Sequence, residues 1–171
     1  MIIDRRRAVC FTLAAFSAGI LLRSPAARAD QAFRRYLPLF IDLDGWKGNK
    51  PDGMTMEMPN NSMTTAKRDY THGSAQIHAS VVTGPAATGA LAMTKTGMNI
   101  ETSEGHMIAT TLNGFAVAKT YNNAQKSGAL MVALGPAALF SVAYTAMTED
   151  EALPLAQKFD WKAFQAASEQ K

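Results

Sequence analysis

The chain has 171 residues, and its 17 Lys+Arg outnumber 14 Asp+Glu for a net charge of +3. That surplus belongs to the first 29 positions: without Arg5, Arg6, Arg7, Arg23, Arg28 and Asp4, 12 basic residues face 13 acidic ones, a net of −1. Positions 30–171 therefore lack the basic excess that nucleic acid or anionic lipid selects, and without Cys10, the only cysteine, they exclude disulfides, thiolate nucleophiles, thiolate-bound zinc, iron–sulfur clusters and covalent haem.

Taken in chain order, the first element is an export signal. Arg5-Arg6-Arg7 forms a basic start, Ala8 to Leu22 is apolar or small apart from Thr12 and Ser17, and Ala27-Arg28-Ala29 supplies a small-x-small cleavage pattern. Cleavage is expected before Asp30, placing the protein in the periplasm. Arg6-Arg7-Ala8-Val9-Cys10 resembles a twin-arginine signal, although Asp4 and Val9-Cys10 depart from the usual residues, so that route and ordinary secretion both stay open. The apolar run is shorter than the roughly 20 residues a spanning helix needs, and no second candidate follows. The expected division is a cleavable signal over 1–29 and one domain over 30–171.

The mature part opens with a charged lead-in, 30–36, read as a short helix or a loose arm. Leu37 to Trp46 is apolar and ends in a turn, and Lys47 to Gly53 has the composition of a loop. Met54 to Met58 alternates strictly and reads as a strand. Thr64 to Tyr70 and Ser74 to Thr83 flank a hairpin turn at Thr71-His72-Gly73; in the second, Ile77, Ala79 and Val81 alternate with Gln76, His78 and Ser80, as in a half-buried antiparallel strand.

Gly84-Pro85 opens a helix over 85–96, with Gly97 as its stop. Met98 to Leu112 and Phe115 to Tyr121 read as two strands joined by the hairpin dipeptide Asn113-Gly114. Leu130 to Leu134 and Leu139 to Tyr144 are two more. Thr148-x-x-Glu151 is a capping box for a helix that Pro154 should kink or delay, and Asp160 caps a last helix. This order predicts an α+β fold: a single domain with an antiparallel sheet of five to seven strands and two or three helices packed on it. Val81, Leu91, Leu112, Val132, Phe140, Val142, Leu155 and Phe159 are the expected core.

Gly45-Trp46, Arg68-Asp69-Tyr70 with Gly73 before a strand, Gly114-Phe115-Ala116 and Phe159-Asp160-Trp161 together resemble small exported bacterial domains of the Mog1/PsbP-like α–β–α sandwich class. The resemblance spans most of 37–166. It implies a fold and an accessory or binding role, and it carries no catalytic residue.

Two constellations carry possible chemistry. Met54, Met56 and Met58 share one face of a strand, with Met63 just beyond. The expected role of that face is core packing; the alternative is a Cu(I) site, because thioethers are soft ligands, with His72, His78 or His106 as an added imidazole. Asp69, His72 and His78 form the nearest approach to an acid–base cluster, with solvated histidines as the plain expectation. Asp42, Asp44 and the Glu149–Glu151 run are assigned surface and helix-terminal roles. The leading expectation is a periplasmic, non-enzymatic binding or accessory protein for a protein partner or small ligand, with no cofactor and no nucleic acid. The alternatives are Cu(I) binding at Met54/Met56/Met58 and a small hydrolase or isomerase around Asp69/His72/His78.

Overall fold

The computed structural model describes residues 32–59, 61–95 and 97–170; the export signal and its cleavage point lie outside them. Among these residues nine strands make one antiparallel sheet: β1 (Lys47–Gly48), β2 (Asp52–Met58), β3 (Asn61–His72), β4 (Ala75–Thr83), β5 (Asn99–Thr102), β6 (Gly105–Leu112), β7 (Phe115–Asn122), β8 (Ser127–Gly135) and β9 (Ala138–Thr145). Helix α1 (Pro85–Lys95) separates β4 from β5, and α2 (Glu149–Ala156) and α3 (Trp161–Glu169) close the chain. Both β1 and β2 pair with the outer edge of β3, and β4, β9, β8, β7, β6 and β5 follow across the sheet. The chain thus runs one meander through β4, crosses to the far edge through α1, and returns through five strands until β9 meets β4. Among the described residues no helix is long and apolar enough to cross a membrane.

The sheet exceeds the expected five to seven strands for two local reasons. The loop-like stretch 47–53 is a broken edge strand: Gly48 pairs with Tyr70 and Asp52 with Lys67, so three residues, 49–51, face only Arg68 and Asp69. One extra residue is a bulge, which turns Gly- and Pro-rich composition into strand. The single strand expected over 98–112 is instead a hairpin folded at Ser103-Glu104, with Thr102 opposite Gly105. The apolar alternation stops at Ile100, and the polar run Glu101-Thr102-Ser103-Glu104-Gly105 is the composition of a turn.

Strand alternation gives the sheet two different faces. On the first, Ile77, Ala79 and Val81 of β4, Val132 of β8 and Phe140 and Val142 of β9 are buried under α2, α3 and the lead-in. Phe140 is the hub: its ring lies 4.7 Å from Phe164 and 5.4 Å from Phe159, centroid to centroid, and Phe40 meets Phe164 at 5.2 Å. Tyr36, expected on a short helix or a loose arm, is fully buried and stacks on Phe164, so this end of the lead-in is part of the core. Six expected core residues are buried, whereas Leu112 and Leu155 are only partly so. Leu112 ends β6 at the Asn113-Gly114 turn, and α2 presents Ala152 and Ala156, four residues apart, to the core instead of Leu155.

Helix α2 starts at Glu149 and includes Pro154, so of the kink or late start expected there the late start does not occur. The lost amide bond of the proline is offset at the N-terminus, where the Thr148 hydroxyl accepts from Glu151 N–H and the Glu151 carboxylate accepts from Thr148 N–H at 2.8 Å. On the second face, among the described residues, α1 covers the sheet, packing Ala87 and Leu91 on Val82, Met131 and Leu139. Its entry requires glycine: Gly84 has φ +91° and lies so close to the Ser62 carbonyl that a Cβ would collide with it.

Candidate functional site

The methionine strand is the first correction. Met54 and Met56 are 51% and 42% exposed, so they are not core. Their alternation is real, but it places them on the second face of an edge strand, where they remain exposed. Met56 pairs directly with Met63 on β3, Met54 with Thr65 and Met58 with Asn61. Directly opposed residues hold their Cβ atoms about 4.5–5.5 Å apart and diagonal ones about 7–8 Å. Thioethers on flexible three-bond arms reach one another across those distances. No histidine joins them: each of the three is engaged elsewhere, as follows.

Of the cluster Asp69, His72 and His78, two residues meet. Asp69 and His78 are a cross-strand pair on the second face, and Nδ1 of His78 donates to Oδ1 of Asp69 at 2.5 Å. The Asn49 amide donates to the other Asp69 oxygen at 3.0 Å, and the Asp69 N–H donates to the Asn49 side-chain oxygen, also at 3.0 Å. Burial raises the carboxyl of Asp69, but the hydrogen bond and charge of His78, the Asn49 contact and the Lys67 charge outweigh it and hold Asp69 below its ordinary value. Both side chains remain nearly half exposed, 46% for Asp69 and 45% for His78. They border a shallow pocket of about 170 Å³ at the end of β4 and β9, lined also by Gln76, Ala143 and Thr145. Ser80, two residues along the same strand, shares its hydrogen bond with Ser141 at 2.9 Å.

His72 stands apart. Its Nδ1 donates to the Gly45 carbonyl at 2.6 Å and its ring leans on Trp46 at 5.5 Å, which ties the chain before β1 to the end of β3. Arg68 and Tyr70 do the same from the first face: the guanidinium donates to the carbonyls of Phe40 and Asn49 and to Asp42, and the Tyr70 hydroxyl donates to the Ile41 carbonyl at 2.8 Å. Burial pushes the Tyr70 hydroxyl up to about 12, which keeps it a donor at any physiological pH. The Arg-Asp-Tyr sequence is therefore a fastening for residues 40–49, with Asp69 between two anchors and facing the other way.

A third group escaped the sequence reading. Glu149, at the first position of α2, accepts from Nε2 of His106 at 2.7 Å and from Nζ of Lys119 at 2.5 Å. These side chains are mostly buried, with Glu149 18% and His106 23% exposed. Burial raises Glu149, yet the bonds and charges of Lys119 and His106 hold it below its ordinary value, while burial and the Glu149 charge push Tyr144 above its own. The space beside Lys119 and Glu149, about 10 Å³, has room for at most one water molecule, and the group joins α2 to β6 and β7. The signal lay in β7, where Lys119 and Tyr121 continue the core-facing period of Phe115 and Val117; a cation at a core position demands a partner. Glu149, 43 residues from His106, offered no local spacing to match.

Among the described residues no three His, Cys, Asp or Glu side chains gather as a metal site; thioether donors are a separate chemistry. A wide recess, about 770 Å³, opens at the end of the sheet between the Asn113-Gly114 and Gly135-Pro136 turns and carries Lys95 and Lys162 but no acid–base pair. Compared with known proteins, the chain matches no family model, no curated protein and no solved structure.

Proposed function

We propose that the protein is an exported, non-enzymatic binding or accessory module of the periplasm, and that its ligand is Cu(I), taken by the methionines of the β2–β3 hairpin. The observation that carries this reading is the exposure of Met54 and Met56 on one strand face with Met63 directly across from Met56. Core packing no longer accounts for that spacing, and a row of exposed thioethers is what a soft monovalent ion selects. After export the chain has no thiol, so thioether sulfur is its one soft donor. The layering of helices on both faces of one sheet is what an accessory domain of the Mog1/PsbP-like kind would share.

Competition against a Cu(I) chelator tests the reading, run on the parent and on the triple variant Met54→Leu, Met56→Leu, Met58→Leu. Stoichiometric binding by the parent, loss of it in the variant and an unchanged thermal midpoint are the expected results. A parent that takes no Cu(I) above background refutes the copper assignment.

A hydrolase or isomerase is the second reading, and the Asp69–His78 pair favours it. Its Nδ1-to-carboxylate contact leaves Nε2 directed away from Asp69, as a general base requires. No nucleophile stands in hydrogen bond with His78 among the described contacts. Hydrolysis of activated esters by the parent and its loss in His78→Ala would support this reading over the first.

A further inference from the structure

The two edges of the sheet are built differently. Along the β1/β2 edge the bulge at 49–51, Pro51, Pro59 and the charges of Lys47, Lys50, Asp52 and Glu57 all disfavour the addition of another strand. At the other edge, among the described residues, β5 pairs only with β6, all four of its residues are exposed, and it has no proline, lysine or bulge. Its one charge is Glu101, and Ile100 is 43% exposed on its second face.

The backbone sets how β5 is able to pair. The Ala109 N–H donates to the Met98 carbonyl at 3.3 Å, so the polar groups of Met98 turn inward to β6. Alternation turns those of Ile100 and Thr102 inward as well, which agrees with Thr102 closing a two-residue turn opposite Gly105. The N–H and C=O of Asn99 and Glu101 therefore point out from the sheet. A second strand must bond to those two residues.

We infer that a second copy of this chain docks on β5, the two β5 strands pairing antiparallel about a two-fold axis through Ile100. This register sets Asn99 against the partner's Glu101, so both residues with outward backbone groups form hydrogen-bonded pairs. The Asn99 amide then lies beside a carboxylate that accepts from it. Ile100 meets its own symmetry mate as a non-hydrogen-bonded apolar pair on the second face. Shifting the axis to Glu101 keeps the backbone parity but opposes two carboxylates, which disfavours it. The two-fold pairing uses the same edge on both copies and closes after two chains. An edge of four residues buries less than the roughly 1,200 Å² of a standard interface, so the dimer is weak and concentration-dependent. The inference is independent of copper: it uses none of Met54, Met56, Met58 or Met63.

Disulfide trapping tests it. In the full chain carrying Cys10→Ser, Ile100→Cys introduces the only thiol. Non-hydrogen-bonded antiparallel partners lie about 4.5 Å apart at Cα, at the near end of the roughly 4.4–6.8 Å that a disulfide accepts. Mild oxidation should give a covalent dimer with Ile100→Cys and none with Thr102→Cys, because Thr102 and its symmetry mate lie two residues on opposite sides of the axis, four positions apart along the strands. Adding Glu101→Pro should abolish the cross-link, since it deletes an outward N–H that the fold does not use. In parallel, the mass of the parent by light scattering should rise with concentration towards twice 18.4 kDa. Equal cross-linking at Ile100→Cys and Thr102→Cys, a cross-link that survives Glu101→Pro, growth past two copies, or a parent monomeric at every concentration would each overturn the inference.

Discussion

On the first face of the sheet Phe140 is enclosed by Phe159 and Phe164, and those rings are backed in turn by Tyr36, Phe40 and Tyr70. On the second face one helix lays Ala87 and Leu91 over Val82, Met131 and Leu139, and the sheet on either side of it carries His78, Ser80, Ala143, Met54 and Met56. The difference is one of side-chain size and of cover. Bulky aromatics from four segments interlock on one side, whereas small and polar residues beside an alanine-rich helix leave the other side open. Stability resides mainly on the first face, and the groups with chemistry available to solvent lie on the second.

The largest expected effect tests that asymmetry. Phe140→Ala removes the hub of a fully buried ring cluster and should cost about 3–5 kcal/mol. Leu91→Ala, at the buried centre of the second face, should fall near the lower end of the roughly 2–5 kcal/mol range for such truncations, because open surroundings collapse more readily around a lost side chain. Chemical denaturation of both variants checks the comparison; a Leu91→Ala loss equal to that of Phe140→Ala would mean that the two faces contribute alike.

Much of the first face was legible in the sequence, and for a physical reason. Ile77, Ala79 and Val81 alternate with polar residues, Thr148 and Glu151 stand at capping-box spacing, and Asn113-Gly114 is a turn that few other dipeptides make. Each is a local pattern, fixed by a period or by a dihedral angle. What escaped was set by tertiary position. Strict alternation at Met54 and Met56 states that the side chains share a face, but not whether a helix covers that face. His106, Lys119 and Glu149 come from three elements, and only the fold joins them. Asp69 and His78 stand between: nine residues apart across a hairpin, their pairing follows once the register of β3 and β4 is known. His72 was grouped with them by nearness in sequence, yet it closes that register opposite Ala75 on the other face of the strand and faces Gly45 and Trp46.

The two histidine–carboxylate pairs sharpen the comparison, because the same chemistry appears on both faces with different burial. Glu149→Gln leaves Lys119 and His106 with a poorer acceptor in a mostly buried setting and should cost about 1–3 kcal/mol at neutral pH. The carboxyl of Glu149 lies lower in the folded protein than its ordinary 4.5, so its contribution is fully present above that value and is lost as pH falls through the lowered folded value. Thermal midpoints of parent and variant should therefore converge on acidification. A gap that persists under strongly acidic conditions would assign the loss to packing of the side chain instead of to its charge.

Asp69→Asn is the smallest effect expected. The pair it breaks is nearly half exposed on both sides, so water and salt screen it, and pairs of this kind contribute about 0–1 kcal/mol. Its sign with pH is the same as for Glu149: Asp69 lies below its ordinary 3.8 when folded, so the stabilisation it gives is present above that value and fades as acid protonates it. Salt separates the two sites. Added sodium chloride should shrink the Asp69→Asn difference, because charges open to solvent are screened, while the Glu149→Gln difference should hardly move. The experiment is a pair of denaturation series at neutral pH in low and high salt. If Asp69→Asn costs as much as Glu149→Gln and resists salt, then Asn49, Asp69 and His78 form a rigid network closed to water, and the second face is sealed at that point as firmly as the first.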